Sequence, residues 1–146
     1  MTQEDKELLF KDLCARWPYG VKVNNEIQGD FEIYGICGNY IFARTPTSHV
    51  DFQIEKIKPY LFPLSSMTEE EFTKLKEYSG LKYDQLDLTS FQNGVYKILN
   101  FSLSEVPSGA VSRVFDWLNK YHFDYRDLIQ LDLAIAVTKE NNPYKE

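Results

Sequence analysis

The sequence lacks any apolar run of the length that a membrane-spanning helix requires. Its hydrophobic stretches fall far short of the roughly 20 residues needed to cross a bilayer. Its first residues are polar and acidic, whereas a secretory signal begins with basic residues and continues into an apolar segment. Anionic lipid surfaces would also repel an acidic protein. We therefore expect a cytoplasmic protein without a membrane partner.

Clustered positive charge is missing as well. The chain has 16 lysine and arginine residues against 22 acidic ones, which gives a formal net charge of −6. Its lysines are spread singly among carboxylates, as at Lys56, Lys74 and Lys82. Because duplex nucleic acid is bound by concentrated positive charge, we expect no duplex partner.

Neither paired cysteines nor a catalytic signature occurs. The two cysteines, Cys14 and Cys37, have no CxxC spacing, so we predict reduced thiols that act as small buried apolar side chains. The sequence contains no phosphate-binding glycine loop, no nucleophile elbow, no HExxH helix and no paired-cysteine zinc signature. It therefore assigns no catalytic residue and no cofactor, and it favours a non-enzymatic protein.

The composition is that of a folded globular protein. Of the 146 residues, 43% are hydrophobic and 26% are charged, which are ordinary values for such proteins. We predict a single domain over residues 1–146, with a loose tail from about residue 138. The aromatic content of 15% is the unusual feature, and aromatic side chains fill both cores and binding surfaces.

Local patterns predict an α+β fold in which an antiparallel meander of about four or five strands is covered by three main helices. Short β-branched and aromatic runs predict strands at 21–23, 31–36, 40–44 and 50–54, with a fifth at 95–101. Helical spacing predicts helices at about 3–16, 68–78 and 110–121, and a short fourth one at 124–129. The prolines at both ends of the apolar stretch in residues 57–64 predict an extended link.

The only two histidines each precede an aspartate by two residues, as His49 with Asp51 and His122 with Asp124. Two side chains at this spacing face the same way on a strand. If the two pairs met, imidazole and carboxylate groups could bind a divalent metal that activates water. The alternative is that His49 is an ordinary loop residue, His122 lies at a helix C-terminus and Asp124 caps a helix.

A second candidate site mixes large aromatic side chains with charge at a helix junction, which is typical of binding hot spots. It consists of Trp117, Tyr121, Tyr125 and Arg126. The alternative is a corner at which the aromatic side chains close the core while Arg126 pairs with an acid. A third set could stack on single-stranded nucleic acid, although the negative charge argues against this use and strand packing is the simpler account. Its members are Tyr19, Tyr34, Tyr40 and Tyr60.

Two stretches, residues 58–71 and residues 117–119 followed by 122–126, resemble a family of small uncharacterised proteins that gut anaerobic bacteria and their phages encode. The chain departs from that family where Asp127 replaces an expected glycine and where residues 139–142 replace a proline-glycine segment. The resemblance implies a mobile-element context and assigns no activity, fold or catalytic residue.

Three functional hypotheses follow from the sequence. The first is a non-enzymatic accessory protein that binds another protein, with homo-oligomers left open. The second is a metal-dependent hydrolase or nuclease that uses the two histidine-aspartate pairs. The third is a subunit of a self-assembling particle, and the resemblance to phage-encoded proteins is the only observation that supports it.

Overall fold

A computed structural model describes residues 1–80, 87–93 and 109–145. The chain divides into two compact units, of which the first comprises Met1–Leu61 with residues 126–145 and the second comprises Phe62–Tyr125. The prediction of a single domain stays a prediction. The predicted strand at 95–101 lies outside the described residues.

Helix α1, Gln3–Arg16, starts the first unit within a residue or two of the predicted bounds. Its capping box is complete, because the Thr2 hydroxyl accepts a hydrogen bond from the Asp5 amide at 3.0 Å and the Asp5 carboxylate accepts one from the Thr2 amide at 3.4 Å. A short 3-10 helix, Trp17–Tyr19, follows, and Gly20 in left-handed geometry, with φ of 72°, ends it.

The predicted meander of four strands is confirmed. Strands β1 (Lys22–Asn25), β2 (Gly29–Cys37), β3 (Tyr40–Arg44) and β4 (His49–Gln53) pair with their chain neighbours in antiparallel fashion. The turn between β2 and β3 has Gly38 at φ of 60°, the left-handed geometry that tight hairpin loops require. Strands and helices are both present in segregated runs, so the α+β fold class is also confirmed.

Strand β5, Lys58–Pro63, is the stretch that the sequence predicts to be an extended link. It is extended, and it also pairs with β1 in antiparallel fashion. Two strands of two residues each, β6 (Phe123–Asp124) and β7 (Ile135–Ala136), pair with β5 in parallel. These two pairings join segments distant in the chain, and no local pattern predicts them.

The core of the first unit lies between α1 and one face of the meander. Alternate strand residues point into it, as expected for a sheet with one covered face. Its larger members are Leu9, Leu13, Val23, Phe31, Ile33, Ile41, Phe52, Ile57, Leu61 and Leu128.

The prediction that Cys14 and Cys37 are buried is wrong. The buried arc of α1 comprises Leu9, Asp12, Leu13 and Arg16. Phe10 is 39% exposed, and both Cys14 and Cys37 are exposed free cysteines. The helix turns its polar Asp12 and Arg16 inward because each finds an ionic partner there, which leaves Phe10 and Cys14 on the outside.

The described part of the second unit contains α2 (Glu69–Ser79), α3 (Leu88–Asn93) and α4 (Ala110–Lys120). Helix α2 begins with a capping box between Thr68 and Glu71 and ends at left-handed Gly80, close to the predicted bounds of 68–78. The core of the second unit is rich in aromatic side chains. It consists of Met67, Phe72, Leu75, Phe91, Ala110, Val114, Trp117, Leu118, Phe123 and Tyr125.

The predicted short helix at 124–129 does not form. Asp124 ends strand β6 instead of capping a helix, and residues 128–132 are turns. Asp127 and Asp132 both have left-handed backbone geometry, with φ of 59° and 60°. A residue in that geometry cannot continue a right-handed helix. No helix within the described ranges combines the length and apolar character that crossing a bilayer demands.

Candidate binding site

The residues of the predicted metal site lie in different units. His49 and Asp51 are exposed on one face of β4 in the first unit, as the spacing predicts for a strand. In the second unit, His122 follows α4 with a left-handed φ of 64°, and both His122 and Asp124 are 7% exposed. Among the residues that the structure describes, no three His, Cys, Asp or Glu side chains lie close enough together to hold a metal ion. A site shared by the two pairs stays a prediction.

The aromatic corner at the end of α4 is mostly buried. Trp117 is 6% exposed and stacks on Phe123 with 5.7 Å between ring centroids. Tyr125 is 5% exposed, and its hydroxyl donates a hydrogen bond of 2.9 Å to Asn119. For these two side chains the structure favours the alternative that they close the core.

The other two predicted binding residues have different surroundings. Arg126, in the first unit, donates to Asp12 at 2.7 Å, which is the acid pairing that the alternative predicts. Tyr121 is 45% exposed and is the accessible member of the set. Trp117 and Tyr125 are therefore too buried to contact a partner directly. A binding role for the remaining residues of this set stays a prediction.

A better candidate is the outer face of the first unit's meander. Side chains alternate across the sheet, so the strand residues between the core positions point away from α1. On this face the structure places a concentration of large aromatic side chains with an arginine. We call Trp17, Tyr34, Tyr40, Phe42 and Arg44 the aromatic face.

A β-bulge positions the centre of the aromatic face. Ile33 pairs with Ala43 and Gly35 pairs with Phe42, which leaves Tyr34 as the extra residue of β2. A Cβ atom at Gly35 would lie 3.2 Å from the Phe42 ring, tighter than nearly all real contacts of this kind. Gly35 therefore lets the Phe42 ring lie close against the β2 backbone, 6.3 Å from the Tyr34 ring.

Arg44 is held in place by two neighbours on this face. Its guanidinium lies 5.3 Å from the centre of the Tyr34 ring and 3.2 Å from a carboxylate oxygen of Glu32. The Tyr34 ring also packs edge-on against His49, with 5.4 Å between centroids. These contacts orient the Arg44 guanidinium. The Arg44 side chain is still 49% exposed, so the guanidinium remains accessible to a partner.

Two open hollows lie on either side of the pair of Arg44 and Glu32, and both residues line each hollow. The larger, of about 610 Å³, also includes Lys22, Asp30 and His49. The smaller, of about 430 Å³, has Trp17, Pro18, Gly20 and Tyr34 among its lining residues. Positive and negative side chains balance around the larger hollow, whereas the smaller one includes the aromatic rings of Trp17 and Tyr34.

The C-terminal segment borders the larger hollow through Pro143. The hydroxyl of the next residue, Tyr144, accepts a hydrogen bond from the Lys22 amide at 3.0 Å and donates one to the Tyr60 carbonyl at 2.8 Å. It thus bridges β1 and β5 one position beyond their last direct pairing. Burial raises the pKa of Tyr144. The segment predicted to be loose is therefore tied to the sheet at Tyr144, and its motion in solution stays a prediction.

Tyr60 is the one tyrosine of the predicted stacking set that does not belong to the accessible surface. It is 8% exposed, and its hydroxyl donates to Asp30 at 2.8 Å. Burial and then the nearby Asp30 carboxylate raise the pKa of Tyr60 to about 12. Tyr19, Tyr34 and Tyr40 are exposed by 42%, 37% and 50%.

The sequence contained part of the signal for this site. Tyr34 and Tyr40 were candidates for a stacking face, whereas Trp17, Phe42 and Arg44 were assigned no role. The alternation of Tyr40, Phe42 and Arg44 along β3 places all three on one side, and this two-residue period is the sequence signal for the face. The bulge at Tyr34 has no clear sequence signal.

The face offers ring surfaces and an oriented guanidinium, the side-chain types that dominate the binding energy of protein interfaces. Comparisons with protein-family models, with curated proteins and with solved structures find no match.

Proposed function

We propose that this chain is a non-enzymatic accessory protein that binds another protein through the aromatic face of its first unit. The observation that carries the proposal is the exposed cluster of Tyr34 and Arg44 between two hollows. Tryptophan, tyrosine and arginine are the residue types most enriched among binding hot spots, and the face combines all three.

Order within the face supports a binding role. Flexible side chains lose entropy when a partner immobilises them, at a cost of about 0.5–1.5 kcal/mol each. Here the Tyr34 ring already contacts Phe42, His49 and Arg44, and Arg44 is also paired with Glu32. A partner would therefore meet a surface that is largely ordered beforehand.

The charge distribution supports a protein partner over nucleic acid. The chain has a formal net charge of −6, and the larger hollow places Lys22 and Arg44 beside Asp30 and Glu32. A binding site for a phosphate backbone would carry an excess of positive charge. A mixed surface of this kind suits a protein with its own mixture of apolar and charged side chains.

The setting that we propose is a cytoplasmic accessory role in a phage or another mobile element. It rests on the resemblance of residues 58–71, 117–119 and 122–126 to phage-encoded and bacterial proteins, and it is an analogy at the level of the family.

Site-specific photo-crosslinking in the native cell tests the proposal. A photoreactive phenylalanine analogue replaces Tyr40, which is 50% exposed on the aromatic face, or Tyr78, which is 52% exposed on α2 and serves as the matched control. We expect a discrete cross-linked protein at position 40 and none at position 78. Tyr34→Ala should reduce the yield at position 40 about tenfold while the circular dichroism spectrum stays unchanged. Equal yields at both positions, or no effect of Tyr34→Ala, would refute the proposal.

A further inference from the structure

Strand β4 lies at the end of the meander, and one of its edges is unpaired within the described part of the chain. It pairs with β3, and no other strand among the described residues pairs with it. Its five residues alternate between exposed side chains and side chains that pack toward the core. An open strand edge carries backbone donors and acceptors that can pair with another strand.

The hydrogen bonds of the hairpin identify which backbone groups point to that edge. The Thr45 amide donates to the Ser48 carbonyl at 2.9 Å, and the Ile54 amide donates to the Asn39 carbonyl at 3.1 Å. Backbone groups of an antiparallel strand face its neighbour at every second residue. Since Ser48 and Ile54 face β3, the backbone groups of His49, Asp51 and Gln53 face outward.

The side chains at the same positions are self-complementary. His49 and Asp51 are both exposed and lie on the same side of the sheet. If two copies of β4 run antiparallel with His49 of each copy opposite Asp51 of the other, the contact contains two histidine-carboxylate pairs. An imidazole can donate a hydrogen bond to a carboxylate in either of its protonation states. Shifting the register by two residues places Asp51 opposite Asp51 or His49 opposite His49, and these arrangements lose that attraction.

The register with two histidine-aspartate pairs also suits the other side of the sheet. Val50 lies between the two residues and is half-buried against the core of its own unit. In this register Val50 of one copy lies opposite Val50 of the other, so an apolar contact accompanies the two polar ones. Contacts of this kind between opposite strand residues each contribute about 0.2–1 kcal/mol.

We infer that β4 pairs with β4 of a second copy of this chain in an antiparallel two-fold contact, with His49 opposite Asp51 twice. This inference goes beyond the proposed function and does not depend on it. A two-fold contact of one patch with itself closes after two copies. Because the paired segment is short, the dimer is weak, with a dissociation constant on the order of 100 μM.

An exchange of the two residues tests the inference by sedimentation velocity from about 10 to about 500 μM protein. We expect the wild type to dimerise in this range. His49→Asp should weaken the dimer about tenfold and Asp51→His somewhat less, since the first creates two contacts between like charges. The double variant His49→Asp with Asp51→His restores both pairs in the same register and should return the dissociation constant to within about threefold of the wild type.

Asp51→Pro provides a second test. It removes the backbone N–H of residue 51, which points away from β3 toward the proposed second copy. Proline is tolerated at such positions of an edge strand. We expect this variant to keep its circular dichroism spectrum and to lose the dimer. If it fails to fold, the exchange experiment still decides.

Three outcomes would overturn the inference: a wild type that stays monomeric at about 500 μM, single variants that dimerise like the wild type, or a double variant that is no stronger than the singles. The test is independent of the proposed function. Trp17→Ala, which alters the aromatic face at the hollow that His49 does not line, should leave the dimer intact.

Discussion

Both units have apolar cores, and each core also contains a distinctive set of contacts. In the first, the fully buried Asp12 carboxylate receives hydrogen bonds from Arg16 at 2.9 Å and from Arg126 at 2.7 Å. In the second, aromatic rings pack on one another, as Phe123 does with Phe62 and with Trp117. Buried charges need specific partners, whereas rings need area and geometry.

The difference bears on how each core can be recognised. An apolar arc on α4 is visible in the sequence because its members repeat at helical spacing. The contribution of Arg126 to the ionic network is not visible, since Asp12 and Arg126 are 114 residues apart. A charged residue on a helix usually lies on the solvent side. In α1, Asp12 and Arg16 are exceptions to this rule because both are buried.

The largest predicted effect tests the ionic network. Asp12→Ala leaves the fully buried Arg16 without the carboxylate that holds it, so the free energy of unfolding should fall by about 3–5 kcal/mol. Urea unfolding measures it. Glu32→Ala, which breaks an exposed ion pair on the same unit, is the matched control and should cost at most about 1 kcal/mol. Equal losses for the two variants would show that the buried network does not distinguish the first core.

The ring packing of the second unit is tested by Phe123→Ala. Phe123 is 1% exposed, and its loss leaves a cavity between Phe62 and Trp117 that should cost about 3–5 kcal/mol. Near-ultraviolet circular dichroism should show the changed surroundings of Trp117, and hydrogen exchange should increase in peptides of the second unit first. Phe10→Ala, at a ring that is 39% exposed in the first unit, is the control and should cost much less. A uniform increase in exchange over both units would contradict the separation of the two cores.

A smaller effect tests the pH dependence of the first unit. Because the folded pKa of Tyr60, about 12, lies above the unfolded value of about 10, the unfolded state loses this proton first. The stabilisation is complete below about pH 10 and is lost as the pH rises toward about 12. Tyr60→Phe should flatten this part of the stability profile and cost about 1–2 kcal/mol at neutral pH, through the lost hydrogen bond to Asp30. Phenolate absorbance measures the tyrosine pKa, and urea unfolding at a series of pH values measures the free energy of unfolding. An unchanged slope in the variant would show that Tyr60 does not contribute to it.

The smallest effect concerns a feature that the two units share. Thr68→Ala and Thr2→Ala each remove the hydroxyl of a complete capping box, and each should cost about 1 kcal/mol in thermal or urea unfolding. Thr68→Ser keeps the hydroxyl and serves as the control. If one alanine variant leaves the free energy of unfolding unchanged while the other lowers it, the same capping box contributes differently to the stability of the two units.

Much of the fold was predictable because its determinants are local. The capping boxes at Thr2 and Thr68, the hairpin glycine at Gly38 and the apolar arc of α4 all act within a few residues. Less of the candidate site was predictable. Trp117 and Tyr125 looked like binding residues because large aromatic side chains serve cores and interfaces equally well, and only burial separates the two uses.

By itself, the sequence determined where the main helices begin and the order of the four-strand meander. The tertiary structure decided which arc of α1 is buried, that β6 and β7 pair with β5, and that Tyr34 and Arg44 meet on an exposed face. The physical reason is the range of the interactions. A cap or a hairpin turn is stabilised by neighbours within a few residues. The buried Asp12 carboxylate has a local partner in Arg16, but it also binds the Arg126 guanidinium, which the chain supplies 114 residues later.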